Sequence, residues 1–283
     1  MSRLESPNSI NTFNSCKRKY YYSYKMNLPR KDTISTITGK AVHDSLENFF
    51  KIDINLINKE NYETDLKYNL LSLFNEAWSK SLKGLLSLGL EKEAIREYYE
   101  KSMFMLQNFF DDYILSLNNE LKNYDLISSF NKIKPKTEIY LSSQKHNVQG
   151  YVDAIIEVGN ELYILDYKTS SRDHFSDDYK LQLAIYALLY NEKFNKLPTK
   201  VGLHFLKHGT KKFIDVTPEL LDLARRETEL IKVNTISNEI IDYEKNPGPF
   251  CKWKDGQCSF YDLCFGVKKL DNFSEDNLIH INK

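Results

Sequence analysis

Two aspartates and a lysine offer the most readable chemistry in the chain. They lie in Gly150-Tyr151-Val152-Asp153 and in Asp166-Tyr167-Lys168. On an extended strand, side chains two residues apart face the same side. Asp166 and Lys168 therefore point together, while Tyr167 points the other way, into a core. If the strand holding Asp153 pairs with the next through a turn at Gly159-Asn160, Asp153 approaches Asp166. Two converging carboxylates suit a hard cation such as Mg2+ or Mn2+, which takes oxygen ligands. Such a cation polarises a phosphate and lowers the pKa of an attacking water. Lys168 would orient that water or offset charge in the transition state, with Thr169 a weaker helper. An Asp-x-Lys alone is common by chance, so the order of both segments across a short hairpin carries the reading. Gln182 and Tyr186 follow four residues apart on one helical face, where both could hydrogen-bond a phosphate or the lysine. Tyr186 also reads as an amphipathic core residue.

The elements that would position these groups follow from patterning. Ser6-Pro7 starts a helix, and the run from Pro7 to about Lys25 continues at helical spacing. Thr38-Gly39 lead into a second helix carrying His43. The pattern stays helical to about Leu126, with apolar stripes over Leu66 to Leu86 and Glu91 to Leu121. The character changes at Lys134. Lys136 to Leu141, His146 to Val158 and Leu162 to Lys168 read as three strands, followed by a helix from Asp177 to Tyr190. Strands at Lys200 to Phe205 and Lys211 to Val216 come next, then a helix capped by Thr217-Pro218. This order predicts a mixed central sheet with helices around it.

The chain has 283 residues, within reach of one elaborated α/β core. Lys plus Arg equal Asp plus Glu, giving a formal net charge of +0, so attraction to a polyanion must come from local patches. Lys17-Arg18-Lys19 and Arg30-Lys31 are two such runs, and either also reads as a solvated face. The first residues are polar and no apolar run follows, so no signal peptide is expected. Leu183 to Tyr190 is too short to span a bilayer. The expected compartment is the cytoplasm, where Cys16, Cys251, Cys258 and Cys264 read as ligands rather than disulfides. No phosphate-binding Gly-rich loop ending in Lys-Ser/Thr is present, which excludes a motor ATPase. No helix-turn-helix or zinc-finger signature points to sequence-specific readout. His146, His174, His204, His208 and His280 share no ligand spacing and read as non-catalytic.

Taken together, these segments resemble the PD-(D/E)XK nucleases. More narrowly they resemble the branch that holds the nuclease domains of RecB and AddB-type helicase–nucleases and the CRISPR-associated RecB-like exonucleases. Ser9 to Tyr20 is similar to that branch's opening helix, whose Cys precedes basic and aromatic residues. Gly39-x-x-x-His43 matches its His motif, Gly150-x-x-Asp153 and Asp166-Tyr167-Lys168-Thr169 its second and third motifs, and Gln182-x-x-x-Tyr186 its helix motif. Glu138 matches an acidic position on the strand before. The resemblance implies a restriction-endonuclease-like α/β fold. It also implies a metal held by His43, Asp153 and Asp166 with support from Glu138, and substrate contacts from Gln182 and Tyr186. Residues 1–283 would form a single nuclease domain. The block 52–126, which matches no motif, would be a helical insertion within it.

The resemblance also groups Cys16 with the late cysteines of segment 247–266 as ligands of a [4Fe–4S] cluster stapling the two termini. The gap from Cys251 to Cys258, filled by Lys252-Trp253-Lys254-Asp255-Gly256-Gln257, is wider than that branch's usual spacing. Chemistry alone leaves zinc and merely buried thiols open, although a zinc site prefers a closer Cys pair. The implied activity is hydrolysis of DNA by an exonuclease acting on single strands or ends, beside a separate helicase or recombination partner. A non-catalytic DNA-end-binding or scaffold subunit and a structure-selective or restriction-type endonuclease are the rivals.

Overall fold

The computed structural model describes residues 3–253 and 256–270; His280, Lys254 and Asp255 lie outside them. Ser6 caps α1 (Pro7–Ser15) through a reciprocal hydrogen-bond box with Ser9, as its position before a proline suggested. The expected single helix to Lys25 is broken at Cys16, whose backbone is extended (φ −162°, ψ 106°). A short α2 (Lys17–Tyr20) and a π-helical turn (Tyr21–Lys25) resume in a new direction. The break frees the Arg18 N–H to donate to the Glu244 carbonyl of the C-terminal segment (3.1 Å). The helix carrying His43, α3 (Ile34–Phe49), begins earlier than Thr38-Gly39, because Thr33 and Thr36 cap it reciprocally. The stripes in the middle of the chain form α4 (Tyr62–Ser87) and α5 (Lys92–Glu120), and α6 (Leu126–Ile133) leads to the sheet.

Five strands make one mixed sheet in the order β1 (Lys136–Ser143), β2 (Val148–Val158), β3 (Glu161–Lys168), β4 (Lys200–Phe205), β5 (Thr210–Asp215). Only the β3–β4 pair is parallel, and α7 (Asp177–Phe194) makes that crossover. The Gly159-Asn160 turn joins β2 to β3, with Gly159 at φ +61°, a conformation glycine adopts without steric cost. After β5, α8 (Pro218–Asn234) packs beside α7, and two short strands, β6 (Lys252–Trp253) and β7 (Gly256–Gln257), precede α9 (Tyr261–Cys264).

β3 is buried on both faces, which suits its nearly continuous apolar run. Leu162 and Ile164 join the core formed with α1, α7 and α8. Leu165 and Tyr167 join a second core built by α3, α4, α5 and α6. The helical block 52–126 therefore does not stand apart: it covers one face of the sheet. Phe109 of α5 is the main link, with its ring centroid 5.9 Å from Tyr167, 6.3 Å from His204 and 6.1 Å from Phe49. Among the described residues no helix is long and apolar enough to cross a membrane.

Truncating Phe109 in this shared core leaves a cavity between two layers. Phe109→Ala should cost about 3–5 kcal/mol in equilibrium denaturation, and the native chain should unfold in one transition. A separate early transition of the helical block would contradict a shared core.

Candidate active site

The sheet register places Asp153 across from Asp166, one step beyond the Ala154–Leu165 pair. Asp153 Oδ2 accepts the Tyr167 N–H (2.7 Å) and lies 3.5 Å from His43 Nδ1. Lys168 Nζ stands 2.7 Å from Asp166 Oδ2 and donates to Gln182 Oε1 (2.7 Å). The Gln182 amide donates in turn to Asp166 Oδ1 (2.9 Å) and to the Tyr186 hydroxyl (3.0 Å). His43, Asp153, Asp166, Lys168, Gln182 and Tyr186 thus meet in one cleft, whose lining also includes Thr169.

Two close approaches explain the glycines of these segments. A Cβ at Gly150 would lie 2.8 Å from Tyr186 Cε1, so a larger residue there would displace the ring under Gln182. A Cβ at Gly39 would lie 3.1 Å from Thr169 Oγ1, so Gly39 lets α3 approach the end of β3 and bring His43 to Asp153. On the other side of β3, Tyr167 is held by Phe109 and His204, which fixes the direction of the residues flanking it.

The electrostatics are unfavourable at rest. Asp166 is only 3% exposed, and its Oδ2 lacks a hydrogen bond of good geometry among the described residues, although Lys168 is an ion-pair neighbour. Burial pushes the Asp166 carboxyl up to about 6, with Lys168 pulling back and Asp153 adding to the rise. Burial alone would lower the His43 imidazole, but the Asp153 carboxylate outweighs it and the net shift is upward.

Glu138 falls opposite Asp153 between the Thr137–Ala154 and Ile139–Val152 pairs. Its backbone is left-handed (φ +50°), a strained state for a residue with a side chain. Burial, then Asp153 and Glu47, pushes its carboxyl up to about 7. It does not line the cleft, so it stands behind Asp153 rather than beside Asp166. Two contacts escaped the sequence reading. Lys168 Nζ sits 4.4 Å from the centre of the Tyr179 ring, and Tyr98, Lys101, Ser102 and Met105 of α5 form a wall of the cleft. Tyr179 had a signal, since it lies three residues before Gln182; the α5 wall had none.

None of the remaining described histidines joins the cleft. His146 pairs with Glu192 (3.2 Å), His208 meets the Ser171 carbonyl (3.0 Å), His174 is exposed and His204 is buried. Arg18 is taken up by the fold, its Nε donating to the Tyr243 carbonyl (2.7 Å), and the Arg30 guanidinium lies 4.5 Å from the centre of the Tyr24 ring. The four cysteines are free thiols, and all four line one small cavity beneath Tyr22 and Phe260. Burial pushes the Cys264 thiol up. Among the described residues no three His, Cys, Asp or Glu side chains stand close enough to hold a single metal ion as arranged. In the cleft, the carboxylates are turned to protein donors instead.

The family model of the PD-(D/E)XK nuclease superfamily matches residues 5–265, which span both the cleft and the cysteine segment. The chain belongs to that superfamily. Within it, the chain is similar to the CRISPR-associated exonuclease Cas4 of Francisella tularensis subsp. novicida (strain U112), 35% identical over 128 residues. That match covers 44% of this chain and 59% of the relative, less than two thirds of it. Among solved structures, a putative exonuclease from Eubacterium rectale covers 93% of both chains at 12% identity and a TM-score of 0.47. The superfamily takes its name from an acidic residue, a second acidic residue and a lysine, and in this member Asp153, Asp166 and Lys168 stand in that order at the floor of the cleft.

Because the folded state holds the Asp166 proton more tightly than its ordinary value of 3.8, ionisation costs stability as pH rises through about 6. Asp166→Asn removes that cost. The variant should be more stable than the native chain by roughly 1–3 kcal/mol at pH 8, and the gain should vanish as pH falls to about 4. Denaturant titrations at both pH values check this; a loss of stability at pH 8 would contradict it.

Proposed function

We propose that the chain is a divalent-cation-dependent DNA nuclease, an exonuclease that hydrolyses phosphodiester bonds of single strands or strand ends. The observation that carries this reading is the closed network on the cleft floor: two facing carboxylates, one buried with an oxygen left without a hydrogen bond, and a lysine fixed beside them. The donor set fits Mg2+ or Mn2+, since a cation held by Asp153 and Asp166 would offset the cost of burying the Asp166 charge, which raises its pKa, and the smaller rise that Asp153 adds. Asp153, Asp166 and His43 would hold it, with Glu138 adding negative charge from behind. When bound, the cation withdraws charge from the scissile phosphate and lowers the pKa of a water.

The protein's own groups do the rest. Gln182 keeps the Lys168 ammonium at the floor, and Tyr186 holds Gln182 through the opposite end of its amide. Lys168 orients the attacking water and balances charge developing on the phosphate oxygens. Asp153 stands beside the His43 ring at Nδ1 (3.5 Å). The carboxylates lie at the bottom of a walled cleft, which favours a single strand over a rigid duplex. That the bacterial relative is a CRISPR-associated exonuclease supports the exonuclease mode and a setting in CRISPR-type processing. Repair or recombination, beside a separate helicase, is the wider setting of this reading. The intact network argues against the non-catalytic scaffold reading.

The chain would act as one nuclease domain, with 52–126 inserted and 247–266 joined to Cys16 by a [4Fe–4S] cluster. Four thiols facing one cavity support that cluster. The cluster's role would be structural, adding to the hydrogen bonds that already tie the termini, such as Asn246 to the Ser15 carbonyl (2.8 Å).

The test is anaerobic purification and incubation with Mg2+ or Mn2+ and end-labelled single-stranded, duplex and circular DNA. Linear strands should be degraded and circles spared, with the rate falling at least 100-fold in Asp166→Ala and Lys168→Ala. A folded chain that binds DNA yet cuts none with either metal would refute the reading.

A further inference from the structure

The chain carries equal numbers of acidic and basic residues, yet the cleft does not. Apart from Asp153 and Asp166, its charged lining consists of Lys40, Lys101, Lys168 and Lys207, with His43 beside them. Lys168 is committed to Asp166 and Gln182 on the floor. The other three stand on three different elements: Lys40 on α3, Lys101 on α5 and Lys207 in the turn between β4 and β5. Among the described residues the side chains of Lys40 and Lys207 have no ion-pair partner. Lys101 has only an exposed i,i+4 pair with Glu97 (2.5 Å), of a kind worth roughly 0–1 kcal/mol and easily exchanged for a phosphate.

One face of α5 runs from the cleft mouth to the sheet. Tyr98, Lys101, Ser102 and Met105 follow i, i+3, i+4, i+7 spacing and all line the cleft. The same stripe continues into Asn108, Phe109 and Asp112, which fasten the helix to the sheet. Asn108 donates to the carbonyls of Leu206 (2.9 Å) and Lys207 (3.3 Å), Phe109 packs on Tyr167, and Asp112 pairs with Lys211. The wall and the turn that presents Lys207 are therefore held to each other and to the strand of Asp166. Tyr98 is half-buried, its ring approached by the Lys101 ammonium at 5.0 Å, and no ring-to-ring contact occupies it among the described residues.

We propose that α5 of the inserted block is the strand-binding wall of the cleft, on which Tyr98 stacks a base of single-stranded DNA while Lys101, Lys40 and Lys207 hold the flanking phosphates. This rests on the nuclease reading for its purpose, but the binding it describes needs no cleavage. An unpaired base has a free face for an aromatic ring, whereas a duplex stacks its bases against each other and offers only its backbone. The insertion is thus the part of the chain that selects single strands.

Binding of a fluorescent oligothymidylate to the full-length chain, followed by anisotropy in EDTA over a range of salt, tests this apart from catalysis. Tyr98→Ala should weaken binding about 5- to 100-fold and Tyr98→Phe should leave it nearly unchanged. Lys101→Ala should reduce the slope of log affinity against log salt by about 0.7, as expected for one lost phosphate contact. Arg96→Ala, on another face of the same helix, should match the native chain. The native chain should also prefer the single strand to a duplex of equal length. Native affinity and salt slope in both Tyr98→Ala and Lys101→Ala, an equal loss in Arg96→Ala, or a preference for duplex would overturn the proposal. If Tyr98→Ala fails to fold, the Lys101→Ala slope decides. A chain that binds in this way but never cuts would retain the proposal and refute the nuclease reading.

Discussion

Asp166 sits on the floor of the cleft with its carboxylate almost out of water and a second carboxylate facing it. A buried charge of this kind is costly unless it is paired and hydrogen-bonded, and here the pairing is incomplete. Lys168 supplies an ion pair, Gln182 supplies one hydrogen bond, and the other oxygen is left without one. Much of the architecture serves to hold this unfavourable group in place. The β2–β3 register sets Asp153 against it, Gly150 makes room for the tyrosine under Gln182, and Gly39 lets α3 bring His43 close. Such a buried, incompletely paired carboxylate beside a second one is the kind of strongly perturbed group that marks functional sites.

The rigidity of that arrangement comes from both faces of the sheet. Asp166 and Lys168 face α7, while Tyr167 between them is packed against Phe109 of α5 and His204 of β4. Movement of α5 would therefore reach the carboxylates on the cleft floor through Tyr167. The helices of residues 52–126 do not stand apart from the sheet, because they complete the core under β3 and α5 walls the cleft above it. The termini are tied separately, through Arg18 to the carbonyls of Tyr243 and Glu244 and through Tyr22 against Phe260. The cysteine cavity lies within that tie and shares no lining residue with the cleft.

What the sequence revealed was mostly local. The five strands, the Gly159-Asn160 turn and the caps at Ser6 and Thr217 follow from patterns a few residues long. The facing of Asp166 and Lys168 needed only the period of a strand, and Gln182 meeting Lys168 needed only one helix and one hairpin. The break at Cys16 was not legible, because the Arg18 N–H it frees finds its acceptor more than 220 residues away, at the Glu244 carbonyl. The start of α3 was misplaced because Gly39, which looks like a boundary, is in fact a close-packing position inside the helix. The α5 wall was hidden for a similar reason. Its polar residues at helical spacing look like any solvated face until the fold turns them toward the cleft. Glu138 matched an acidic position, but its left-handed backbone and its place behind Asp153 depend on pairing that spacing does not encode.

The central claim is that the facing carboxylates form a cation site, and Mn2+ titration of the isolated chain by calorimetry at pH 7.5 tests it most directly. The account predicts saturable binding to the native protein that is lost in both Asp153→Asn and Asp166→Asn, with the fold of each intact by circular dichroism. Undiminished Mn2+ binding in either well-folded variant would contradict it.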